Sequence, residues 1–191
     1  MIYSTYYSPS ILALANLNHD RSLDIIVASS GNREIRLLFN IGNGSFTAYT
    51  SFSLDKSPRA VTVADMNGDE NFDLIIIHSI SKNIAIFFNT GNGTFSTPTV
   101  YQNNLYPNLV AVGDVNNDHK LNIIVTTSES RKTSSIDIFF NTGNGIFTVE
   151  TTYSAGSSAF SVAIADINDD HQFDIIVGYY RRIAILFNNC N

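Results

Sequence analysis

The chain has 191 residues, 44% hydrophobic and 15% charged, with 17 acidic against 11 basic side chains and a net charge of −6. This is the composition of a folded domain of ordinary size, and its acidic surplus argues against nucleic acid as a partner, which needs clustered Lys and Arg. No stretch is long and apolar enough for membrane insertion, and the single cysteine, Cys190, allows no disulfide within one chain.

Residues Met1–Ser10 lack the basic start and apolar run of a signal peptide, so the chain reads as a fragment or internal domain of a longer product. Ile2–Tyr7, IYSTYY, has the look of a strand. Four similar segments follow: ILALANLNHDRSLDIIVASS from Ile11, AVTVADMNGDENFDLIIIHS from Ala60, LVAVGDVNNDHKLNIIVTTS from Leu109 and SVAIADINDDHQFDIIVGYY from Ser161. Their polar loops start at Asn16, Asp65, Asp114 and Asp166, giving periods of 49, 49 and 52 residues. Periods of that length mark an array of supersecondary units sharing one core.

Within each unit the apolar residues alternate or run as β-branched stretches, and no window carries a sustained helical period. A second block, as in IAIFFNTGNGTF, supplies a third strand, and runs such as STPTVY supply a fourth. The expected fold is all-β: a single domain over 1–191, a β-propeller of four four-stranded antiparallel blades at 11–52, 60–101, 109–153 and 161–188. The last unit stops after its third strand, and the run at 2–7 resembles the missing fourth, so it is expected to close the last blade. An arc of a larger, seven-bladed propeller is the alternative.

Between first and second strands every unit holds a nine-residue loop: NLNHDRSLD, DMNGDENFD, DVNNDHKLN and DINDDHQFD. Oxygen-bearing side chains recur at positions 1, 3, 5 and 9. They are Asn16, Asn18, Asp20 and Asp24; Asp65, Asn67, Asp69 and Asp73; Asp114, Asn116, Asp118 and Asn122; Asp166, Asn168, Asp170 and Asp174. Such a set, with a main-chain carbonyl near position 7, suits a hard cation, and calcium above all, because it accepts an irregular shell of six to eight oxygens. Four sites are therefore expected. Loops two and four each offer three carboxylates and loops one and three only two, so the former pair is expected to bind more tightly. A strand follows each loop and the twelfth position falls on apolar residues such as Ile76, which separates the pattern from an EF-hand.

VAIADINDDHQFDIIV and NTGNGTF are similar to the pattern of the FG-GAP and VCBS repeat family, the calcium-binding propeller repeats of integrin alpha-subunit heads and many secreted or surface proteins. The resemblance covers essentially the whole chain. It implies blades made rigid by calcium, with ligands bound on the face away from the loops. The family often carries Gly at loop position 6; here Arg21, Glu70, His119 and His171 stand there. The recurring GNG-x-F, ending at Phe46, Phe95 and Phe147, reads as a tight turn followed by a Phe that plugs between blades. Asn43 and Asn92 head glycosylation sequons.

Sorting charges by end places most acids at the loop end and Arg33, Lys56, Arg59, Lys82, Arg131, Lys132, Arg181 and Arg182 at the other. Tyr106, Arg131, Lys132, Tyr179, Tyr180, Arg181 and Arg182 form the candidate ligand site, suited to an acidic peptide or glycan. With the acids committed to the loops and no nucleophile paired with a base, the chain reads as no enzyme. The expected role is an extracellular or cell-surface binding, adhesion or structural module. A lectin-like propeller and an accessory domain of an extracellular enzyme are the other readings. A homo-oligomer is expected if one chain does not close the ring.

Overall fold

The structure is a computed structural model that describes residues 9–47, 50–103, 105–130, 133–154, 159–179 and 181–188. The run at 2–7, Arg131, Lys132, Tyr180 and Cys190 lie outside the described residues. Fifteen strands are described and no helix, so no helix is long and apolar enough to cross a membrane.

The strands fall into four antiparallel sheets, each in simple sequence order. Blade one holds β1 (Ile11–Ala15), β2 (Asp24–Ser29), β3 (Glu34–Leu38) and β4 (Thr50–Ser53). Blade two holds β5 (Ala60–Ala64), β6 (Asp73–His78), β7 (Asn83–Phe87) and β8 (Thr99–Gln102). Blade three holds β9 (Tyr106–Gly113), β10 (Asn122–Ser130), β11 (Thr133–Gly143) and β12 (Ile146–Ser154). Blade four shows β13 (Ala159–Ala165), β14 (Asp174–Tyr179) and β15 (Arg182–Leu186). Its fourth strand was expected from the run at 2–7, outside the described residues.

The apolar patterns follow from this stacking. An internal blade has neighbours on both faces, so both faces of each strand must be apolar. Leu74, Ile75, Ile76 and Ile77 of β6 are accordingly all buried. Even members join Ile26, Ile35 and Leu37 of blade one in a first core, and odd members join Ile123, Val125 and Phe139 of blade three in a second. A third core packs Ile124, Ile136 and Ile138 against Ile175 and Val177 of blade four. Phe95 packs on the first core and Phe147 lies within the second, so both fill the space between blades, as expected of the Phe after each GNG turn. The innermost strands touch in succession, β1 on β5, β5 on β9 and β9 on β13. Among the described residues no core joins blade four to blade one, and the sheets form an open arc.

Candidate metal-binding loops

All four nine-residue loops connect the first and second strands of their blades, at the same end of each sheet as the GNG turns. Their shape repeats. Positions 4 and 6 take the left-handed conformation in every loop: His19 and Arg21, Gly68 and Glu70, Asn117 and His119, Asp169 and His171, with φ between 58 and 79°. The non-glycine residues at position 6 thus hold the turn that glycine holds more easily, at a cost of order 1 kcal/mol each.

This coiling turns the side chains at positions 1, 3 and 5 inward. Asp65 Oδ1 accepts from the Gly68 and Asp69 amides and its Oδ2 from the Glu70 amide, at 2.7, 3.2 and 2.8 Å. Asp166 accepts from the amides of Asp170 and His171, and Asp114 from those of Asp118 and His119. At position 5, Asp20, Asp69, Asp118 and Asp170 each accept the amide of position 7. Asn18, Asn67 and Asn168 donate Nδ2 to the position-5 carboxylate at 2.9 to 3.0 Å. Those hydrogen bonds hold the Asp20 carboxyl below its usual range, led by the Ser22 amide; Asp69 is also held low, its main-chain and Asn67 bonds outweighing a desolvation that acts the other way.

Position 9 does something the sequence pattern does not announce. Asp24, Asp73 and Asp174 are fully buried. One oxygen of each accepts the position-2 amide, from Leu17, Met66 or Ile167, at 2.9 to 3.2 Å. The other accepts the amide of Asn40, Asn89 or Asn188, the residue opening the next turn, at 2.9 Å. Asn122 keeps only the first bond, from Val115. Position 9 therefore fastens loop to turn within its blade.

The Asn that opens the turn was also missed, although its signal, Phe-Asn before Gly-Asn-Gly, recurs in the sequence. Asn89 Nδ2 donates to Phe72 O of its own loop and to Leu17 O of the preceding blade at 2.9 Å. Asn141 repeats this with Leu121 O and Met66 O. Asn40 Nδ2, in the first blade, donates to Leu23 O, its one acceptor among the described residues.

A calcium ion fits these residues by the chemistry of the donors. Asn16 Oδ1 and Asn116 Oδ1 are buried oxygens with no hydrogen-bond partner among the described residues, at positions 1 and 3 of the two loops with fewer carboxylates. Among the described residues no three His, Cys, Asp or Glu side chains gather as a metal site by themselves. An ion here would draw on amide and main-chain oxygens, which favours a hard cation over zinc. His119 and His171 are exposed at the turns, and His19 meets Asn71 of the next loop.

At the other end, the described members of the candidate ligand site stand in different settings. Tyr106 begins β9, exposed, with Lys82 Nζ 4.5 Å from its ring centroid. Tyr179 packs on the third core, and burial pushes its hydroxyl pKa up. Arg181 and Arg182 are exposed at the β14–β15 turn.

Four-stranded blades sharing an oxygen-rich hairpin loop at one end define a repeat propeller. The chain belongs to the FG-GAP-like repeat family, whose pattern matches residues 16–76, 65–125 and 114–177. Among solved structures it resembles a lectin from Agrocybe aegerita that recognises non-reducing terminal N-acetylglucosamine, with TM-score 0.64 and 17% identity over 93% of this chain and 48% of that one. The chain thus spans about half the length of that lectin. BBS1N, solved in complex with ARL6DN, aligns over 95% of this chain and 78% of its own with TM-score 0.35 and 12% identity. No curated protein matches.

Proposed function

We propose that the chain is a calcium-stabilised propeller module that acts as a non-enzymatic binding or adhesion unit outside the cell. The observation that carries it is the fourfold loop itself, with positions 1, 3 and 5 turned inward and buried amide oxygens at Asn16 and Asn116 that have no hydrogen-bond partner among the described residues. Residues at positions 1, 3 and 5 would supply the side-chain oxygens, with position 9 setting the loop's width from below. Loops of two or three carboxylates suit the millimolar calcium of the extracellular space better than the scarce calcium of the cytosol. The test is calorimetric titration of chelator-treated protein with calcium, alongside its melting temperature. Saturable binding with a raised melting temperature supports the assignment; no heat and no shift overturn it.

A second reading is recognition of a glycan at the end away from the loops. It is supported by the exposed Tyr106 face beside Lys82, a surface suited to stacking on a sugar ring, and by the likeness in fold to the N-acetylglucosamine lectin. Binding on a glycan array that disappears in Tyr106→Ala, with calcium kept constant, supports it. An array with no bound glycan leaves the first reading alone.

A further inference from the structure

Blade two makes two junctions, one with blade one and one with blade three, and both are built from the same parts. In each, a Phe at the end of the third strand presses on the last Gly of the next blade's turn, Phe39 on Gly93 and Phe88 on Gly145, so closely that a Cβ at either glycine would collide with the ring. In each, the outer strand sets an aromatic ring against two Phe rings of the next blade. Phe52 lies 5.5 Å from Phe87 and 5.8 Å from Phe95 between ring centroids, and Tyr101 lies 6.4 Å from Phe139 and 5.6 Å from Phe147. Phe52 and Tyr101 hold the same register in their blades, opposite Ile35 and Ile84.

The difference between the two junctions is a hydroxyl. Tyr101 OH donates to Gly145 O at 3.2 Å and accepts the Phe147 amide at 3.3 Å, so the phenol joins its outer strand to the next blade's turn. The counterparts of that carbonyl and amide are Gly93 O and the Phe95 amide, and Phe52 has no hydroxyl to offer them. The turn of blade two does not use that amide either. Its ladder bonds run from Thr90 N to Thr94 O and from Ser96 N to Phe88 O, on either side of the Asn89 and Phe95 pair, so the Phe95 amide points away from the third strand.

A cleft of about 360 Å³ opens at this place. Leu37, Phe52, Phe87, Gly93 and Phe95 line it, and its remaining lining residues are Ser and Thr, with no charged side chain among them. An apolar cavity of that volume with a few convergent polar groups is what a small organic ligand needs.

We propose that this cleft binds a small phenol, its hydroxyl donating to Gly93 O and accepting the Phe95 amide, and its ring lying against Phe52, Phe87 and Phe95. What selects this occupant is the chain itself: at the next junction the same carbonyl and amide take a phenol, from Tyr101. A hydrocarbon of the same shape would take water from that carbonyl and amide and return no hydrogen bond, and an ion would find no opposite charge in the lining. The site uses no residue of the nine-residue loops, so it does not rest on their holding calcium.

The test is titration of the chain with para-cresol, a phenol carrying one methyl group, followed by calorimetry and by the amide NMR spectrum of the isotope-labelled protein. Saturable binding of one molecule per chain is expected, with the Phe95 amide signal among those that move most. Toluene, the same molecule without its hydroxyl, is expected to bind more weakly by about tenfold, the worth of the lost hydrogen bonds. Phe52→Tyr, which supplies the hydroxyl from within as Tyr101 does, is expected to weaken para-cresol binding by at least about tenfold with an unchanged circular dichroism spectrum. The comparison of para-cresol with toluene on the wild type needs no variant and stands whether or not Phe52→Tyr folds. No saturable binding up to the solubility of para-cresol, toluene bound as tightly as para-cresol, or a folded Phe52→Tyr that binds like the wild type each overturns the proposal.

Discussion

Asn89 donates its side-chain amide to the carbonyl of Leu17, 72 residues earlier and one blade away, at 2.9 Å. The bond is buried, and the same amide also satisfies Phe72 O while Asn89 Oδ1 accepts from Gly91. One side chain thus shapes its own turn, holds its own loop and ties down the loop next door. Asn89→Ala removes these bonds and strands a buried carbonyl, a loss of about 2 kcal/mol. For a chain of this size that lowers the melting temperature by roughly 4 to 8 °C. Asn40→Ala, whose Nδ2 meets only Leu23 O among the described residues, is expected to lower it by less than half as much, measured by thermal unfolding of the two variants side by side.

The glycines of the turns are unequal in the same way. Gly93→Ala forces a methyl against the Phe39 ring in a left-handed backbone, and overpacking of that kind costs about 1 to 3 kcal/mol beyond the strain. Gly44→Ala carries the backbone strain alone, about 1 kcal/mol. Equal destabilisation of the two variants in urea would show that Phe39 does not pack as described.

Calcium sites of unequal charge are expected to fill unequally. Titration should resolve a tighter pair, loops two and four, from a weaker pair, and Asp65→Asn should weaken loop two by roughly tenfold, towards the strength of loop one. Binding that is uniform across all four loops, or indifferent to that substitution, contradicts the grading by carboxylate number.

The calcium-free protein is expected to respond to pH through Asp73. Burial, aided by the Asp69 and Asp65 carboxylates, pushes its carboxyl from 3.8 up to about 6 in the folded state, against the pull of the Asn89 and Met66 amides. Between about pH 4 and 6 the folded chain therefore holds more protons than the unfolded one, and this group makes stability fall as pH rises through that window. Asp73→Asn should flatten that slope in urea unfolding with chelator present. Added calcium should favour the ionised form and oppose the fall.

Blade number, strand order and loop positions were legible because the repeat states them four times, and alternation such as AVTVA states which residues pair across the sheet. The burial of both faces of β6 was legible in the run LIII. What the sequence concealed depends on partners brought from elsewhere. Asp73 reads as one more oxygen donor until its two backbone partners, Met66 and Asn89, are placed beside it. Asn89 reads as a turn former until the neighbouring blade arrives with an unpaired carbonyl. Tyr179 and Tyr106 look alike as aromatic residues near a basic turn, yet one packs on a core and the other stands at an edge with Lys82.

The bonds at positions 2 and 9 also join end to end. From Leu17 O the path runs to Asn89, whose main-chain amide meets Asp73, whose other oxygen meets Met66, whose carbonyl meets Asn141. A relay of this kind couples loop one to loop two and loop two to loop three, as in a one-dimensional lattice with nearest-neighbour terms. Occupancy of one loop would then bias its neighbour by raising the order of the residues they share, so the metal would load these three loops as a coupled set and not one independently of the next.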